Sequence, residues 1–346
     1  MKACVLESVG NLVYKEVEKP EPKKGEVLLK IKACGICSSD IDRVFKTGTY
    51  HFPTIPGHEF SGIIEKAGEG VDQALLGKKA AVFPLLPCRK CVSCQIGQYA
   101  RCDNYNYFGS RCDGGFAEYL AVPTWNLVLM DDDMSYEVAA LCEPAAVAMH
   151  AVDRSGLRLG NVAVIVGTGT IAFLTAILAI RAGAKRIIMV GRNAGKKQIA
   201  DSCDKRIVYL DSSVQDVEGE VTRVTDGKLA DVVFDCVGSA EAVSEALKLA
   251  GKGGNVLLMG NPTGDMELPR GAYWKILRSE LQIKGTWNSS YNEQKNDWRD
   301  VLAVLKEEQE RLKSLITHQV SLGQYKEAFS YLTDKSVMTL KVMFMM

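Results

Sequence analysis

The chain lacks a net charge, because its 42 lysine and arginine residues balance its 42 aspartate and glutamate residues. No basic run stands out along its 346 residues. Nucleic-acid binding depends on a positive surface that faces the phosphates, so the charge balance argues against a nucleic-acid partner. The hydrophobic content of 47% and the charged content of 24% are typical of a soluble globular protein, and the length allows two domains.

The sequence also lacks a clear membrane span or targeting segment. Residues 162–180 carry no charge for nineteen residues, which is about the length of a span. Gly167 and Gly169 interrupt this stretch, however, so it is better interpreted as a buried strand, a tight turn and a buried helix. The first residues favour the start of a strand rather than a targeting signal, and we expect no membrane partner.

Histidine is scarce, with four residues, whereas cysteine occurs eleven times. Without a secretory signal, this number favours a reducing, cytoplasmic compartment with metal-bound or buried thiols rather than disulfides. Thiolates at steps of three, three and eight residues can close a tetrahedron around one Zn²⁺, and four protein ligands leave no open position. The sequence therefore predicts a closed, structural zinc site in a lobe near residues 85–105, with the ligands Cys88, Cys91, Cys94 and Cys102.

The two halves of the chain differ in their predicted pattern of secondary structure. Short β-like runs broken by glycine and proline dominate the first ~145 residues and predict a partly closed β-barrel. From about residue 159, apolar strands alternate with helical segments, which indicates βαβ units around a parallel sheet. We therefore expect an α/β fold with a first domain at 1–147, a second at 148–280, and a return to the first over 281–346.

A dinucleotide-binding motif begins the second half. The pattern G-x-G-x-x-A lies between a strand and an apolar helix, where Gly167 allows the turn, Gly169 lets a pyrophosphate approach and Ala172 packs helix on strand. The helix N-terminus offers N–H groups to the phosphates. The alternative is a merely tight strand–helix turn. The predicted cofactor residues in this loop are Gly167, Thr168, Gly169, Thr170 and Ile171.

The end of the next strand bears on the choice of cofactor. About 20 residues after the glycines, an acidic residue would bind the ribose hydroxyls of NAD. The sequence there reads Gly191-Arg192-Asn193, and Arg192 is suited to pair with a 2′-phosphate. Lys196 and Lys197 lie close by. These residues favour NADP over NAD, with a solvated surface arginine as the alternative.

Candidate ligands for a second metal lie in the β-rich half. Cysteine, histidine and carboxylate side chains bind zinc, and three protein ligands leave a position open for a substrate. Cys37, His58, Glu59 and Glu143 have these chemistries, although a lone cysteine or histidine is more often structural. Cys34 and Cys37 also form a C-x-x-C pair, but without the βαβ setting of a redox motif.

The chain resembles the zinc-dependent medium-chain alcohol dehydrogenases over nearly its whole length. The shared pattern comprises Gly57-His58-Glu59, the four-cysteine lobe, residues 113–119, Glu143-Pro144 and the dinucleotide glycines. Four further segments resemble the polyol and sugar-phosphate dehydrogenases of that family: 85–88, 108–111, 275–278 and 285–287. The resemblance implies a GroES-like catalytic domain, a Rossmann domain and a homodimer or homotetramer, with residues 255–259 as a plausible edge strand.

The resemblance also implies roles for individual residues. Cys37, His58 and Glu143 would hold a catalytic zinc, with Glu59 as a fourth, exchangeable ligand or a partner of the ligands, giving two zinc ions per chain. The metal would act as a Lewis acid on a substrate alcohol, with hydride transfer to the nicotinamide. Ser39 would relay the proton, unless it is a loop serine bonded to backbone. Cations placed to bind a substrate phosphate, or else surface cations, are Lys46, Arg111 and Lys275.

Three departures from the family pattern stand out. Ser38 replaces a glycine beside Cys37, Ala172 replaces the third glycine of the dinucleotide motif, which is a tolerated change, and the acidic residue of the NAD site is absent. We expect a polyol or sugar-phosphate dehydrogenase; the alternatives are another zinc alcohol dehydrogenase of the sorbitol, threonine or butanediol type, a zinc-free reductase, or a non-enzymatic zinc-lobe protein. The candidate catalytic ligands argue against the reductase, and the zero net charge and the dinucleotide motif argue against the last alternative.

Overall fold

The computed structural model describes residues 1–262 and 264–346, and it separates into two compact units. The first comprises residues 1–143 and 290–346, and the second comprises residues 144–289. The sequence places the first boundary after residue 147, four residues later than in the structure. It places the second boundary after residue 280, nine residues earlier than in the structure. The larger difference arises because residues 281–289 include a strand of the second unit's sheet, whereas the sequence assigned them to the returning segment.

Strands dominate the first unit and alternate with helices in the second. In chain order they are β1 (Lys2–Ser8), β2 (Asn11–Glu16), β3 (Glu26–Gly35), β4 (Glu59–Ala67), β5 (Lys79–Val82), β6 (Leu85–Leu86), β7 (Asn106–Tyr107), β8 (Tyr119–Pro123), β9 (Leu127–Met130), β10 (Val162–Val166), β11 (Arg186–Gly191), β12 (Ile207–Asp211), β13 (Ala230–Asp235), β14 (Ala250–Leu258), β15 (Gln282–Gly285), β16 (Ile316–Ser321) and β17 (Lys341–Met345).

Helices occur in both units, and those of the second unit alternate with its strands. In chain order they are α1 (Ser38–Asp42), α2 (Val92–Gln95), α3 (Tyr136–Ala139), α4 (Cys142–Ser155), α5 (Thr170–Arg181), α6 (Gly195–Cys203), α7 (Val217–Val224), α8 (Ala240–Leu249), α9 (Arg270–Arg278), α10 (Asp297–Glu307), α11 (Gln309–Lys313) and α12 (Tyr325–Thr333). A π-helical turn, Arg43–Thr47, follows α1 directly.

The main sheet of the first unit has the order β16-β17-β3-β4-β5-β9, and β8 pairs with β3. β17 lies antiparallel to β3, so the last strand of the chain joins the sheet between β16 and β3. Buried aromatic side chains fill the interior; the rings of Phe116 and Phe344, for example, meet edge to face with centroids 5.0 Å apart. This core fixes the ends of β3 and β4 relative to each other.

The second unit is built on a parallel sheet with the order β12-β11-β10-β13-β14-β15. The uncharged stretch 162–180 forms β10 and most of α5, a helix that is buried from Ala172 to Ile180. In the described part of the chain, no helix is both long enough and apolar enough to cross a membrane. The expectation that residues 255–259 form an edge strand is wrong, because they fall at the end of β14, between β13 and β15. β15 is the edge strand at this end of the sheet; the sequence predicts a strand there but places it in the segment that returns to the first domain.

Candidate metal centres and dinucleotide site

A cysteine, a histidine and a carboxylate meet at the ends of β3 and β4. Antiparallel pairing places Gly35, the last residue of β3, opposite Glu59, the first residue of β4. Cys37 follows β3 and His58 precedes β4, so one ligand atom from each of Cys37, His58 and Glu59 lies within 4.8 Å of the others. Zinc bonds of about 2.0–2.3 Å to sulfur, nitrogen and oxygen suit this spacing. The donor set therefore fits one zinc ion.

Glycine is required at position 35 for the Glu59 carboxylate to reach this place. A Cβ atom at residue 35 would lie 2.3 Å from Glu59 Oε2, far inside a normal contact. Cys34, the other half of the C-x-x-C pair, is fully buried in β3, and burial raises the pKa of its thiol well above the ordinary value. A buried, protonated thiol is inert, which disfavours the redox interpretation.

Asp40 in α1 orients the histidine. Its Oδ1 atom lies 3.4 Å from His58 Nδ1, and its Oδ2 atom accepts a hydrogen bond from the Cys37 backbone N–H at 3.0 Å. Burial alone would lower the pKa of His58, but the Asp40 carboxylate outweighs it and raises that pKa well above the ordinary value. A carboxylate on one ring nitrogen of a ligand histidine fixes the orientation of the ring. The sequence analysis did not single out Asp40, although its position three residues after Cys37 was a usable signal.

Glu59 forms a buried ion pair with Lys341 of β17. Lys341 Nζ lies 2.5 Å from Glu59 Oε2 and also donates to the Ile36 carbonyl at 3.1 Å. Burial would lower the pKa of Lys341, but the charge of Glu59 outweighs it, and the pKa is raised. Lys341 therefore carries a positive charge beside the candidate metal ligands. No local sequence pattern indicates this ion pair, because the two residues are 282 positions apart.

Glu143 lies beside this cluster at the start of α4. Its Oε1 atom accepts a hydrogen bond of 3.0 Å from the Tyr107 hydroxyl. Burial raises the pKa of the carboxyl; His58 opposes the rise, and Glu59 adds to it. Among the described residues, Glu59 forms a group with Cys37 and His58 in which the ligand atoms lie within 4.8 Å of one another, and Glu143 is not part of this group. The geometry thus favours Glu59 as the third ligand, and coordination by Glu143 stays a prediction.

Ser39 accepts a hydrogen bond from a side chain rather than occupying an ordinary loop position. Arg43 Nη1 donates to Ser39 Oγ at 2.8 Å and to Asp40 Oδ1 at 3.2 Å. Arginine donates only, so the serine keeps its own proton and one lone pair. Ser38, where the family pattern has glycine, is an exposed residue at the start of α1. Arg43 was missed by the sequence analysis, although it lies one helical turn beyond Ser39.

The four-cysteine lobe assembles as the spacing predicts. The sulfur atoms of Cys88, Cys91, Cys94 and Cys102 lie within 4.8 Å of one another. Hydrogen bonds from the backbone N–H groups of Lys90 and Cys91 lower the pKa of Cys88 to about 6, whereas burial raises that of Cys94 to about 12. Four converging sulfurs fit a closed zinc site.

The glycine loop between β10 and α5 has the conformation that its motif requires. Gly167 adopts a φ of +116°, which favours glycine, and its N–H donates to the Val190 carbonyl at 2.9 Å. α5 begins at Thr170, directly after Gly169, and Ala172 is fully buried. Thr170 and Ile171 therefore lie in the first turn, where the free N–H groups of a helix face an anion.

The residues predicted to select the cofactor lie around this loop. Lys196 Nζ donates to the Thr168 carbonyl at 2.9 Å, so α6 is tied to the glycine loop. Burial lowers the pKa of Lys196. Arg192 is exposed at the end of β11, and its charge acts on Glu245 of α8. A carboxylate does not occupy position 191, which is glycine.

The three candidate substrate cations differ in their surroundings. Arg111 lies between two aromatic rings, 4.0 Å from the centroid of Tyr50 and 4.5 Å from that of Tyr105. Lys46 is largely exposed and pairs with Asp42 at 2.8 Å. Lys275 belongs to α9 of the second unit. The first unit therefore holds Arg111 in a defined position and leaves Lys46 on a solvated surface.

A cluster of candidate zinc ligands on a β-rich unit and a glycine loop on a parallel sheet are the two features expected of a zinc-type dehydrogenase. Residues 23–132 match the alcohol dehydrogenase GroES-like domain, and residues 167–307 match the zinc-binding dehydrogenase family. The chain is 34% identical to galactitol 1-phosphate 5-dehydrogenase of Escherichia coli (strain K12) over 331 residues, which is 95% of each chain. It therefore belongs to the zinc-dependent alcohol dehydrogenase family.

Solved structures agree with this assignment. The crystal structure of galactitol-1-phosphate dehydrogenase from Escherichia coli matches with a TM-score of 0.92 at 32% identity and covers 100% of both chains. A putative zinc-binding dehydrogenase from Sinorhizobium meliloti, bound to NADP, matches with a TM-score of 0.91 at 31% identity, covering 100% of this chain and 99% of the other. The expected family and the expected α/β fold are confirmed, and the chain is an oxidoreductase of the alcohol and polyol dehydrogenase type.

Proposed function

We propose that this enzyme oxidises a secondary alcohol of a polyol phosphate or sugar phosphate, with NADP⁺ as the hydride acceptor and zinc as the catalytic metal. The observation that carries the proposal is the meeting of Cys37, His58 and Glu59 at the ends of β3 and β4, with ligand atoms within 4.8 Å of one another. A zinc-free reductase has no need of this buried donor set. The zinc would supply Lewis-acid activation of the alcohol.

The residues around the cluster would hold the ligands in place. Asp40 orients His58, and Lys341 balances the charge of Glu59. Tyr107 holds Glu143 at the edge of the cluster. We propose that Glu143 is an exchangeable ligand: it would bind the metal when the Glu59 carboxylate stays in its ion pair with Lys341. In the four-cysteine lobe, a second zinc would be structural because no ligand position is open.

Ser39 is suited to relay the proton of the substrate hydroxyl: its oxygen accepts that proton while its own hydroxyl proton passes on to solvent. The hydrogen bond from Arg43 uses one lone pair of Ser39 Oγ, and the second lone pair and the hydroxyl proton remain for this relay. The positive charge of Arg43 favours negative charge that develops nearby. Arg43 therefore supports Ser39 without itself accepting a proton.

The second unit would bind the cofactor, which supplies the hydride chemistry. The glycine loop and the N-terminus of α5 would hold the pyrophosphate. Arg192 and Lys196 would meet the 2′-phosphate, with Asn193 forming the turn between them. The absence of a carboxylate at Gly191 supports NADP, as does the NADP bound to the related Sinorhizobium meliloti structure.

Arg111 is the proposed contact for the substrate phosphate. Its guanidinium donates to the Tyr50 hydroxyl at 3.1 Å and stacks on Tyr105. The ring of Tyr105 meets that of Tyr107, and the ring of Tyr107 meets that of His58, with centroids 6.3 and 5.8 Å apart. Within residues 1–262 and 264–346, no carboxylate forms an ion pair with Arg111. A fixed, unneutralised guanidinium near the metal cluster suits a phosphate.

The test is a set of paired substrates read by NADPH absorbance. Galactitol 1-phosphate is compared with galactitol, and sorbitol 6-phosphate with sorbitol. We expect the phosphorylated member of a pair to have the higher kcat/KM. Loss of one charged hydrogen bond costs about 1.5–3 kcal/mol, so Arg111→Ala should lower kcat/KM about 10- to 100-fold for the phosphorylated substrate only.

Lys46→Ala is the matched control and should have little effect on either substrate. An equal loss of kcat/KM for both members of a pair in Arg111→Ala would contradict the phosphate contact. The proposed dehydrogenase activity would not be contradicted by that result. Oxidation of none of the polyols or their phosphates would contradict the proposed substrate class.

We also propose a homodimer formed through the edge strand β15. Its Ile283 is 41% exposed, and the nearby Trp287 is 59% exposed. An open strand edge flanked by large apolar side chains favours pairing with a second copy. Sedimentation analysis should find a dimer or a tetramer, and Ile283→Lys should shift it toward smaller species; a wild-type monomer at micromolar concentration would contradict the proposal.

A further inference from the structure

Tyr209 of β12 holds the backbone that follows β11. β12 pairs in parallel with β11, with Tyr209 opposite Met189. The Tyr209 hydroxyl donates to the Asn193 carbonyl at 2.7 Å and accepts from the Asn193 N–H at 3.1 Å. One buried hydroxyl thus engages both backbone groups of the same residue. Such a pair of bonds leaves Asn193 little freedom to turn.

The same hydroxyl occupies the space next to Gly191. A Cβ atom at residue 191 would lie 2.7 Å from Tyr209 Oη and 2.5 Å from Thr168 Cγ2. Both distances are shorter than any normal contact of a Cβ atom, so a side chain at position 191 requires Tyr209 or Thr168 to move. Position 191 is the end of the second strand, where a carboxylate would bind the ribose hydroxyls of NAD. Tyr209 therefore helps to keep that carboxylate out.

Arg192 lies between two residues whose backbone is fixed. The Gly191 carbonyl accepts from the backbone N–H of Ser212 at 2.8 Å and from its hydroxyl at 3.1 Å. Asn193 on the other side is held by Tyr209. An exposed arginine loses side-chain entropy when it binds an anion, and a fixed backbone reduces the total ordering cost. The fixed backbone on both sides therefore lowers the entropic cost for Arg192 of binding a ligand at the end of β11.

We propose that Tyr209 is a positioning residue that sets the cofactor preference of this enzyme. It does so by holding the Gly191–Asn193 turn in the form that excludes a side chain at 191 and presents Arg192 to a 2′-phosphate. The inference rests on the proposed use of NADP. Tyr209 acts through Arg192 and does not itself touch the reacting atoms.

The experiment measures binding of two nucleotides by isothermal titration calorimetry, which does not depend on metal loading or turnover. Adenosine 2′,5′-bisphosphate and adenosine 5′-monophosphate differ only in the 2′-phosphate. Tyr209→Phe keeps the buried ring and removes both hydrogen bonds. We expect it to weaken the bisphosphate up to about tenfold, because the turn and Arg192 must then be ordered at the expense of binding free energy, with little change for the monophosphate.

Three further variants sharpen the test. Tyr14→Phe, at a half-exposed tyrosine in the other unit, controls for the loss of a phenol group and should match the wild type. Gly191→Ala places one methyl group against both the Tyr209 hydroxyl and Thr168 Cγ2, and it should weaken the bisphosphate more than the monophosphate, even if Tyr209→Phe folds poorly. In an Arg192→Ala background, Tyr209→Phe should cause no further loss of discrimination, because the residue through which it acts is gone.

Selective weakening of the bisphosphate in Tyr209→Phe, absent in the Arg192→Ala background, supports the inference. Equal weakening of both nucleotides, or no weakening of either, overturns it while the proposed NADP preference stands. A wild-type enzyme that binds the two nucleotides equally would overturn the NADP preference itself, and the role of Tyr209 with it.

Discussion

The ammonium group of Lys341 lies 2.5 Å from the carboxylate of Glu59, and both side chains are almost completely buried, at 4% and 2% exposure. The pair joins the last strand of the chain to a candidate metal ligand. Removing one partner of a buried pair leaves an uncompensated charge, which is far more costly than the loss of an exposed pair.

Lys341→Met should therefore destabilise the zinc-free protein by about 3–5 kcal/mol, measured by urea unfolding. Lys197→Met, which breaks the exposed pair with Asp201, should cost at most about 1 kcal/mol. The double variant Lys341→Met/Glu59→Gln should recover part of the loss. Equal effects of the two single lysine variants would show that the buried pair has no special role.

Metal content tests the two zinc sites separately. Mass spectrometry of the metal should find two zinc ions per chain in the wild type. Cys37→Ser should remove one and abolish activity, because it deletes a ligand of the catalytic cluster. Cys88→Ser should also remove one, but from the lobe, so each variant is the control for the other. If the wild type held only one zinc ion and Cys88→Ser held none, that ion would belong to the lobe. The prediction of a catalytic zinc would then be contradicted.

Thiol reactivity in the lobe should depend on pH after zinc is removed with a chelator. Backbone N–H groups lower the pKa of Cys88 to about 6, so its thiolate predominates above that pH, whereas burial raises the pKa of Cys94 to about 12 and keeps it protonated. Since the thiolate is the nucleophile, alkylation of Cys88 by iodoacetamide should rise about tenfold between pH 5 and 7 and then level off.

Peptide mass spectrometry locates the alkylated cysteine. Cys94 should react much more slowly across the same range, and zinc-loaded protein should protect both residues. Equal rates at Cys88 and Cys94 would contradict the assigned pKa directions.

Arg192 should decide between the two cofactors. Arg192→Asp replaces the partner of a 2′-phosphate with a carboxylate suited to ribose hydroxyls, so it should invert the ratio of kcat/KM for NADP⁺ and NAD⁺. Lys197→Asp makes the same change of charge in α6, five positions further along the chain, and should alter the ratio far less. An unchanged ratio in Arg192→Asp would remove this residue from cofactor recognition.

The parts of the site that could be predicted from sequence are those specified by residues close together in the chain. The cysteine spacing around Cys88 and the glycines at 167 and 169 specify their structures within one turn or lobe. The cluster at Cys37 depends instead on the register of β3 against β4, which a single sequence does not encode visibly. Lys341 reaches the cluster only through sheet pairing between distant parts of the chain, so no local pattern pointed to it.

The choice between the two glutamates illustrates the same limit. Glu59 and Glu143 both match the family pattern, and the resemblance assigned the main role to Glu143. The structure shows Glu59 next to Cys37 and His58, because Gly35 leaves room for its carboxylate. The edge strand of the parallel sheet was assigned to residues 255–259 for a similar reason: the order of strands in a sheet is a property of the folded chain, and no local pattern places β15 beside β14.

The position of Lys341 has a consequence for the order of events during synthesis. The lobe around Cys88 to Cys102 contains all its own ligands, so it is able to take up metal as soon as that stretch leaves the ribosome. The charge that balances Glu59 arrives only with the last strand. Domains generally fold from the N-terminus during translation, so the two metals should be acquired at different times, and a nascent chain should carry its structural ion before its catalytic centre is complete.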